Sequence, residues 1–364
     1  MKAALAAVRR RSWTESRRLL PLAVPLAAVS LVVVLTDLFA SDVFTRIIVQ
    51  MTINLILVVG LYIFVGNSGL VSFGHLGFVA IGAYTTGLLT IAPDFKAFNL
   101  QPPGFLERIQ LPFWQAAPIA VAVAACVALV VGAPIVRLNA FACGIALLAF
   151  LIIVRVVSVN WSNMTGGLAS MSGVPTDVTP LRALLGVGIA MAVAFVFQES
   201  RIGRRLRASR EDEHAAAAIG VHVNRERLIA FVVSAGVVAL GGAFFAHFVG
   251  IFSPDDFYLR TTFLILAMLV VGGRESLAGA VVGTLAITLV SEGLLRLENG
   301  LDVGGLSIKP PSGTQETGLG VFLLVALVLR PNGIMAGREF WPRRVRPPAQ
   351  DAPENRPAAA AAPS

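Results

Sequence analysis

Charge is scarce in this chain: Asp, Glu, Lys and Arg together make up 14% of its 364 residues, too little to cover the surface of an ordinary soluble domain. Cysteine is scarcer still. Cys126 and Cys143 both sit in apolar runs without metal-ligand spacing, so neither a disulfide framework nor a zinc site is expected, and both are read as small core residues. The only lysines are Lys2, Lys96 and Lys309, and none follows the paired glycines of a phosphate-binding loop. No G-x-S-x-G elbow, H-E-x-x-H pair or Cys–His nucleophile occurs either. The chain is therefore expected to hydrolyse no ATP, to bind no cofactor or metal of its own, and not to be an enzyme.

What fills the sequence is apolar. Hydrophobic residues make up 56% and the mean hydropathy is +0.79. Runs long enough to cross a hydrocarbon core of about 30 Å as helix recur from Leu19 to Leu329. They are continuous rather than alternating, which argues against a barrel. The reading is an all-α polytopic membrane protein with about ten transmembrane helices, eight or nine being possible, some of them broken. The spans are expected near Leu19–Thr36, Ile47–Val65, Gly74–Ile91, Ala116–Val136, Phe141–Val159, Leu181–Phe197, Leu228–Val249, Thr261–Val271, Leu277–Leu295 and Gly318–Leu329, the eighth and tenth being short.

The net charge of +8 follows topology instead of forming a nucleic-acid-binding face. Arg137, the Arg201–Arg227 connection, Arg274, Arg330, Arg338, Arg343 and Arg344 all fall on the side of the basic N-terminus, which predicts both termini in the cytoplasm. Residues 1–18 read as a basic N-terminal segment leading into an uncleaved first helix. Residues 19–335 form the membrane domain, with an inner loop at 198–227. Residues 336–364, Pro-, Ala- and Arg-rich from Pro342, read as a disordered cytoplasmic tail.

Two groups of residues stand out as functional candidates. The stretch from Gly66 through Gly69 to Gly74 and His75 puts glycine and small polar residues where Leu and Val would face lipid. It is either close helix packing or a broken helix lining a solute path. Asn54, His75, Arg155 and Glu292 are polar groups in or at the ends of apolar runs, costly unless they face a cavity or a partner. Arg155 and Glu292 could alternatively sit at an interface, and His247 reads as structural. The second group is the inner loop from Arg201 to Gly220, where a charged start runs into Ala215–Ala218 and then the helix-stopping Gly220. A short exposed helix with one flat side results, unless the loop is simply a basic anchor.

Four stretches, GNSGLVSFGHLGFVAIGAY (Gly66–Tyr84), Leu148–Pro175, Gly203–Ala246 and VVGGRESLAGAVVG (Val270–Gly283), together with LVLRPNGI at Leu327–Ile334, occur here in one order. In this the chain resembles the branched-chain amino-acid ABC importer permease family, in particular the longer of its two permease subunits, from about Asn54 to Gly333. The resemblance implies a subunit of the bacterial inner membrane that works by alternating access. Its implied partners are a second homologous permease, two ATP-binding subunits that use the ATP, an extracytoplasmic solute-binding protein and membrane lipid. It also gives the inner loop an ATPase-coupling role, carried onto Arg210, Glu211, Asp212, Glu213, Ala215, Ala216 and Gly220. One departure stands out: His214 occupies the place where the family pattern has a glutamate. Branched-chain amino acids are the default solute, with urea, amides or small aromatic acids as alternatives. The rival class is an ion-coupled secondary transporter using Arg155 and Glu292.

Overall fold

Several helices begin where the sequence supplies an acceptor for orphaned backbone N–H groups. Asn139 accepts from Ala142, Thr179 from Arg182 ahead of Pro180, Ser200 from Gly203, and Ser276 from Gly279. The computed structural model describes residues 2–339 except 40, 304, 305, 309, 312 and 338. Its helices are α1 (Lys2–Phe39), α2 (Asp42–Ser68), α3 (His75–Thr90), α4 (Pro93–Asn99), α5 (Gly104–Glu107), α6 (Phe113–Ile135), α7 (Ala140–Asn160), α8 (Ser162–Thr165), α9 (Pro180–Glu199), α10 (Arg201–Glu211), α11 (Glu213–Ala218), α12 (Val223–Val249), α13 (Leu259–Gly272), α14 (Leu277–Asn299) and α15 (Thr314–Leu329). One short hairpin, β1 (Leu301–Val303) with β2 (Leu306–Ile308), links α14 to α15.

The protein is an all-α, multi-pass membrane protein. Each expected span coincides with a helix: α1, α2, α3, α6, α7, α9, α12, α13, α14 and α15 in order. Among the described residues, seven helices are long and apolar enough to cross a membrane, or eight if α3 and α4, bent by 116°, form one broken span. The short ones are α13, with 14 residues, and α3 and α15, with 16 each. The first helix starts well before Leu19, so the basic N-terminal segment continues the span as helix.

α12 lies at the centre, against α2, α3, α6 and α9. It gets there by carrying no side chain where backbones cross. A Cβ on Gly242 would lie 2.1 Å from the Val79 carbonyl oxygen, one on Gly82 2.2 Å from that of Ala239, and one on Gly60 2.6 Å from the Val238 side chain. The Ser234 hydroxyl then reaches the Gly60 carbonyl at 2.6 Å. The hairpin of α13 and α14 repeats the device: a Cβ on Gly283 would come within 1.8 Å of the Met268 oxygen, and one on Gly272 within 1.9 Å of the Gly279 oxygen. Much of the glycine pattern is thus explained by packing. Cys143 is buried as expected, whereas Cys126 is exposed on the outward face of α6 and is not a core residue.

The C-terminal segment is held in place at least as far as Glu339. Ile334 N–H donates to Val271 O (2.8 Å) and Met335 N–H to Gly272 O (3.0 Å). The Glu339 carboxylate accepts from Leu277 and Ala278 N–H at 3.1 and 3.2 Å, and so caps α14. Burial pushes this carboxyl up, against the two backbone donors and Arg207. Of the tail expected from residue 336, residues 336, 337 and 339 are described. Residues 340–364, which make up the rest of that tail, lie outside the described residues.

Gly242→Ala should cost about 1–3 kcal/mol through overpacking at the α3 crossing. Gly293→Ala, where a Cβ meets nothing within 4 Å, should be neutral or stabilise by up to about 1 kcal/mol. Thermal unfolding of the two variants in one detergent measures the difference; equal melting temperatures would remove close backbone approach as the basis of the core.

Candidate functional site

The two ends of the bundle differ in chemistry. One carries α10, α11, the α2–α3 connection and the α13–α14 turn. The other carries the starts of α2 and α13 and the short turn of Pro254–Phe257. From this second end a cavity of about 550 Å³ runs inward between α2, α3, α12, α13, α14 and the start of α15.

Its polar lining comes from regular spacing. Arg46, Gln50 and Asn54 recur every fourth residue along one face of α2, and Thr288, Ser291 and Glu292 share a face of α14. Asp256 and Arg260 complete the mouth, and Leu57, Leu76, Val79, Leu264 and Met268 form the apolar depth. Gln50 donates to Asn54 at 3.2 Å, and Gln315 donates to the Ser291 hydroxyl at 2.8 Å. Glu292 accepts from Arg296 one turn on at 2.9 Å, and Arg260 is paired with Glu316 at 2.6 Å. Arg46 lies 5.8 Å from the Phe248 ring centroid. A wall bearing both signs of charge, neutral donors and aliphatic side chains suits a small polar or zwitterionic solute with an apolar part.

Of the six residues expected on a pathway, only Asn54 and Glu292 line this cavity. Arg155 is paired instead with Asp255 at 2.7 Å and lies over the Tyr258 ring at 4.7 Å, which fixes the turn that presents Asp256 and Phe257. His75 is buried, with Nδ1 2.5 Å from the Ser72 hydroxyl and its ring packed among Phe64, Phe78 and Phe231. Gly66 and Gly69 lie at the opposite end, where α2 stops and a six-residue non-helical connection leads to α3. The break is the connection between two spans and not an interruption within one. Arg46, Gln50, Asp256, Arg260, Thr288, Ser291 and Gln315 were not singled out from the sequence, although the fourfold spacing of Arg46, Gln50 and Asn54 was there to be read.

The inner loop folds as two helices rather than one. Asp212 adopts an extended conformation (φ −150°, ψ 108°), ends α10 and caps α11 by accepting from Ala215 N–H at 2.9 Å. The Asp side chain competes successfully with helix continuation. Gly220, at φ +86°, turns the chain away. Glu213 is engaged within the chain, its carboxylate receiving both terminal nitrogens of the largely buried Arg227 at 2.7 and 3.2 Å. Ala216 faces inward, only 4% exposed. The exposed side of α11 consists of His214, Ala215, Ala217 and Ala218, followed by Ile219. Arg210 leaves the loop altogether, donating to Gly66 O at 3.1 Å and pairing with Glu211 at 2.9 Å and Glu275 at 3.5 Å.

A through-membrane bundle with a polar cavity and a solvent-exposed loop helix defines the class of membrane transport subunits. Residues 43–329 match the family model described as branched-chain amino acid transport system / permease component. The chain belongs to that family. It is 30% identical over 293 residues to the high-affinity branched-chain amino acid transport system permease protein LivM of Escherichia coli K12, covering 70% of this chain and 65% of that one. It thus spans slightly under two thirds of the length of that relative. LivH, a permease protein of the same named system in E. coli K12, is 29% identical over 125 residues, covering 34% of this chain and 38% of LivH. The xylose transport system permease protein XylH of E. coli K12 is 30% identical over 131 residues, covering 35% of this chain and 32% of XylH. No solved structure matches.

In a background of Cys126→Ser and Cys143→Ser, Gln50→Cys and Asn54→Cys should react with a water-soluble thiol reagent and His75→Cys should not. Mass shifts of the purified protein check this; labelling at position 75 but not at 50 or 54 would move the water-filled space away from α2.

Proposed function

We propose that this chain is a permease subunit of an ATP-driven importer for branched-chain or chemically related amino acids. The single observation that carries the reading is the match of residues 43–329 to the permease family, which takes in both the cavity and the α10–α11 loop. The similarity to LivM and LivH supports a second, homologous permease as partner. ATP hydrolysis would take place on two separate ATP-binding subunits, and a solute-binding protein outside the membrane would deliver the cargo at the cavity mouth.

Orientation follows from charge. The α10–α11 end, rich in arginine, lies in the cytoplasm together with both termini, and the cavity opens to the outside of the inner membrane. The solute would meet the faces of α2 and α14, with the carboxylate drawn to the mouth arginines and the ammonium to Asp256 and Glu292. Alternating access would rock the α13–α14 hairpin against the bundle built around α12. The secondary-transporter alternative loses its main support, since Arg155 and Glu292 are each paired with a neighbour and lie apart from one another.

Docking of the ATP-binding subunit would use the exposed side of α11. Ala218→Arg should abolish co-purification of that subunit while leaving the permease folded, because a bulky charge would be buried unpaired at a cost of about several kcal/mol. Ala216→Arg should instead reduce the amount of folded permease itself. Uptake of radiolabelled leucine into vesicles containing permeases, ATP-binding subunits and binding protein completes the test. Normal co-purification and uptake with Ala218→Arg would exclude α11 from docking.

A further inference from the structure

The Arg210 side chain lies where three separate segments meet. It extends from the last turn of α10 across Gly69, where a Cβ would stand 2.7 Å from its Cγ and 3.0 Å from its Cδ. Its guanidinium donates through Nη1 to the Gly66 carbonyl (3.1 Å), in the final turn of α2, where helix carbonyls lack intrahelical donors. The same nitrogen lies 3.5 Å from Oε1 of Glu275 in the α13–α14 turn, while Nε and Nη2 hold Oε1 of Glu211 at 3.3 and 2.9 Å. Gly66 itself packs against that turn, since a Cβ there would stand 2.6 Å from the Arg274 carbonyl. One planar, permanently charged fork thus joins the loop to α2 and to the α13–α14 hairpin.

These are helices that line the cavity, through Asn54 on α2, Met268 on α13, and Thr288 and Glu292 on α14. Asn54 lies twelve residues from Gly66 along one continuous helix, about 18 Å of rigid rod. The loop's other anchor goes elsewhere. Glu213 on α11 grips Arg227 on α12, the helix that packs on α2, α3 and α6 in the middle of the bundle. The loop is therefore held at two points, one on α12 and one where α2 ends beside the α13–α14 turn.

Building on the importer reading above, we propose that Arg210 is the positioning residue that converts displacement of the α10–α11 loop into displacement of the α13–α14 hairpin against the end of α2, and that it does so without touching the ATP-binding subunit. It is the tie between hydrolysis and the cavity. Gly69 serves it by offering a surface with no Cβ, over which the arginine stem lies flat.

The test is the ratio of solute taken up to ATP hydrolysed, in vesicles carrying the assembled importer and supplied with the loaded binding protein. Arg210→Gln should leave the ATP-binding subunit co-purifying and hydrolysing ATP, but should lower uptake per ATP by about tenfold or more, as expected for loss of charge-assisted hydrogen bonds across a moving joint. Glu275→Gln, which removes only one arm, should lower the ratio less. Arg210→Lys, which keeps the charge but loses the fork, should fall between wild type and Arg210→Gln. An unchanged ratio in Arg210→Gln would overturn the proposal, whether uptake and hydrolysis stay normal or fall together with the amount of assembled complex. Failure of the importer reading is separable, because the wild-type vesicles would then show no ATP-dependent uptake, and the relay would fall with it.

Discussion

Everything in this bundle depends on helices meeting backbone to backbone around α12. Inside a bilayer, lipid tails are as apolar as leucine, so helices gain little by hiding aliphatic side chains from them, and association must come from close van der Waals contact and hydrogen bonds. Gly60 on α2, Gly82 on α3 and Gly242 on α12 allow that approach, and Ser234 adds a hydrogen bond to the Gly60 carbonyl at the same crossing. A second glycine seam joins α13 to α14. α2 meets the hairpin's turn at Gly66, and nearer the other end of the bundle the cavity lies between them.

Charge obeys the same division. The ion pairs of Arg155 with Asp255, Arg182 with Asp177 and Arg260 with Glu316 fasten loops at one end of the bundle. Those of Arg205 with Glu226, Arg227 with Glu213 and Arg210 with Glu275 fasten the other. Between the ends, Asn54, Thr288 and Ser291 line the cavity, where water can solvate them. Charges stand at the mouth of the cavity, neutral donors and acceptors follow, and aliphatic side chains close its depth.

The spans were legible because each must supply a long apolar run, and all ten expected runs coincide with helices. The glycine string from Gly66 to Gly87 was legible as unusual but not as to purpose. Gly82 serves a helix crossing, Gly69 accommodates an arginine from 141 residues further along the chain, and nothing local distinguishes the two. His75 misled for a related reason: a polar residue in an apolar run signals either a cavity or a local partner, and Ser72, three residues away, was that partner. Asp212 interrupts the helix expected between Arg201 and Gly220, and the capping preference that explains it is present in the residue type. The cavity charge Asp256 was hidden by its loop position, since only the α7–Asp255 pairing shows how that loop turns inward.

The inner loop shows how a short element becomes mechanically useful. A six-residue helix is too short to be stable in water by itself, because nucleation costs more than so few hydrogen bonds return. Here α11 is held by the Asp212 cap, by burial of Ala216 and by the two-pronged grip of Arg227 on Glu213. A helix fixed in this way is tied to α12 and does not rely on its own few hydrogen bonds to stay folded. The Ile219 side chain at its end remains 80% exposed, outside any membrane-spanning helix. Apolar surface presented on a stiff, small-residue platform is the feature a partner's cleft can bind at low entropic cost, because no long side chains have to be ordered first.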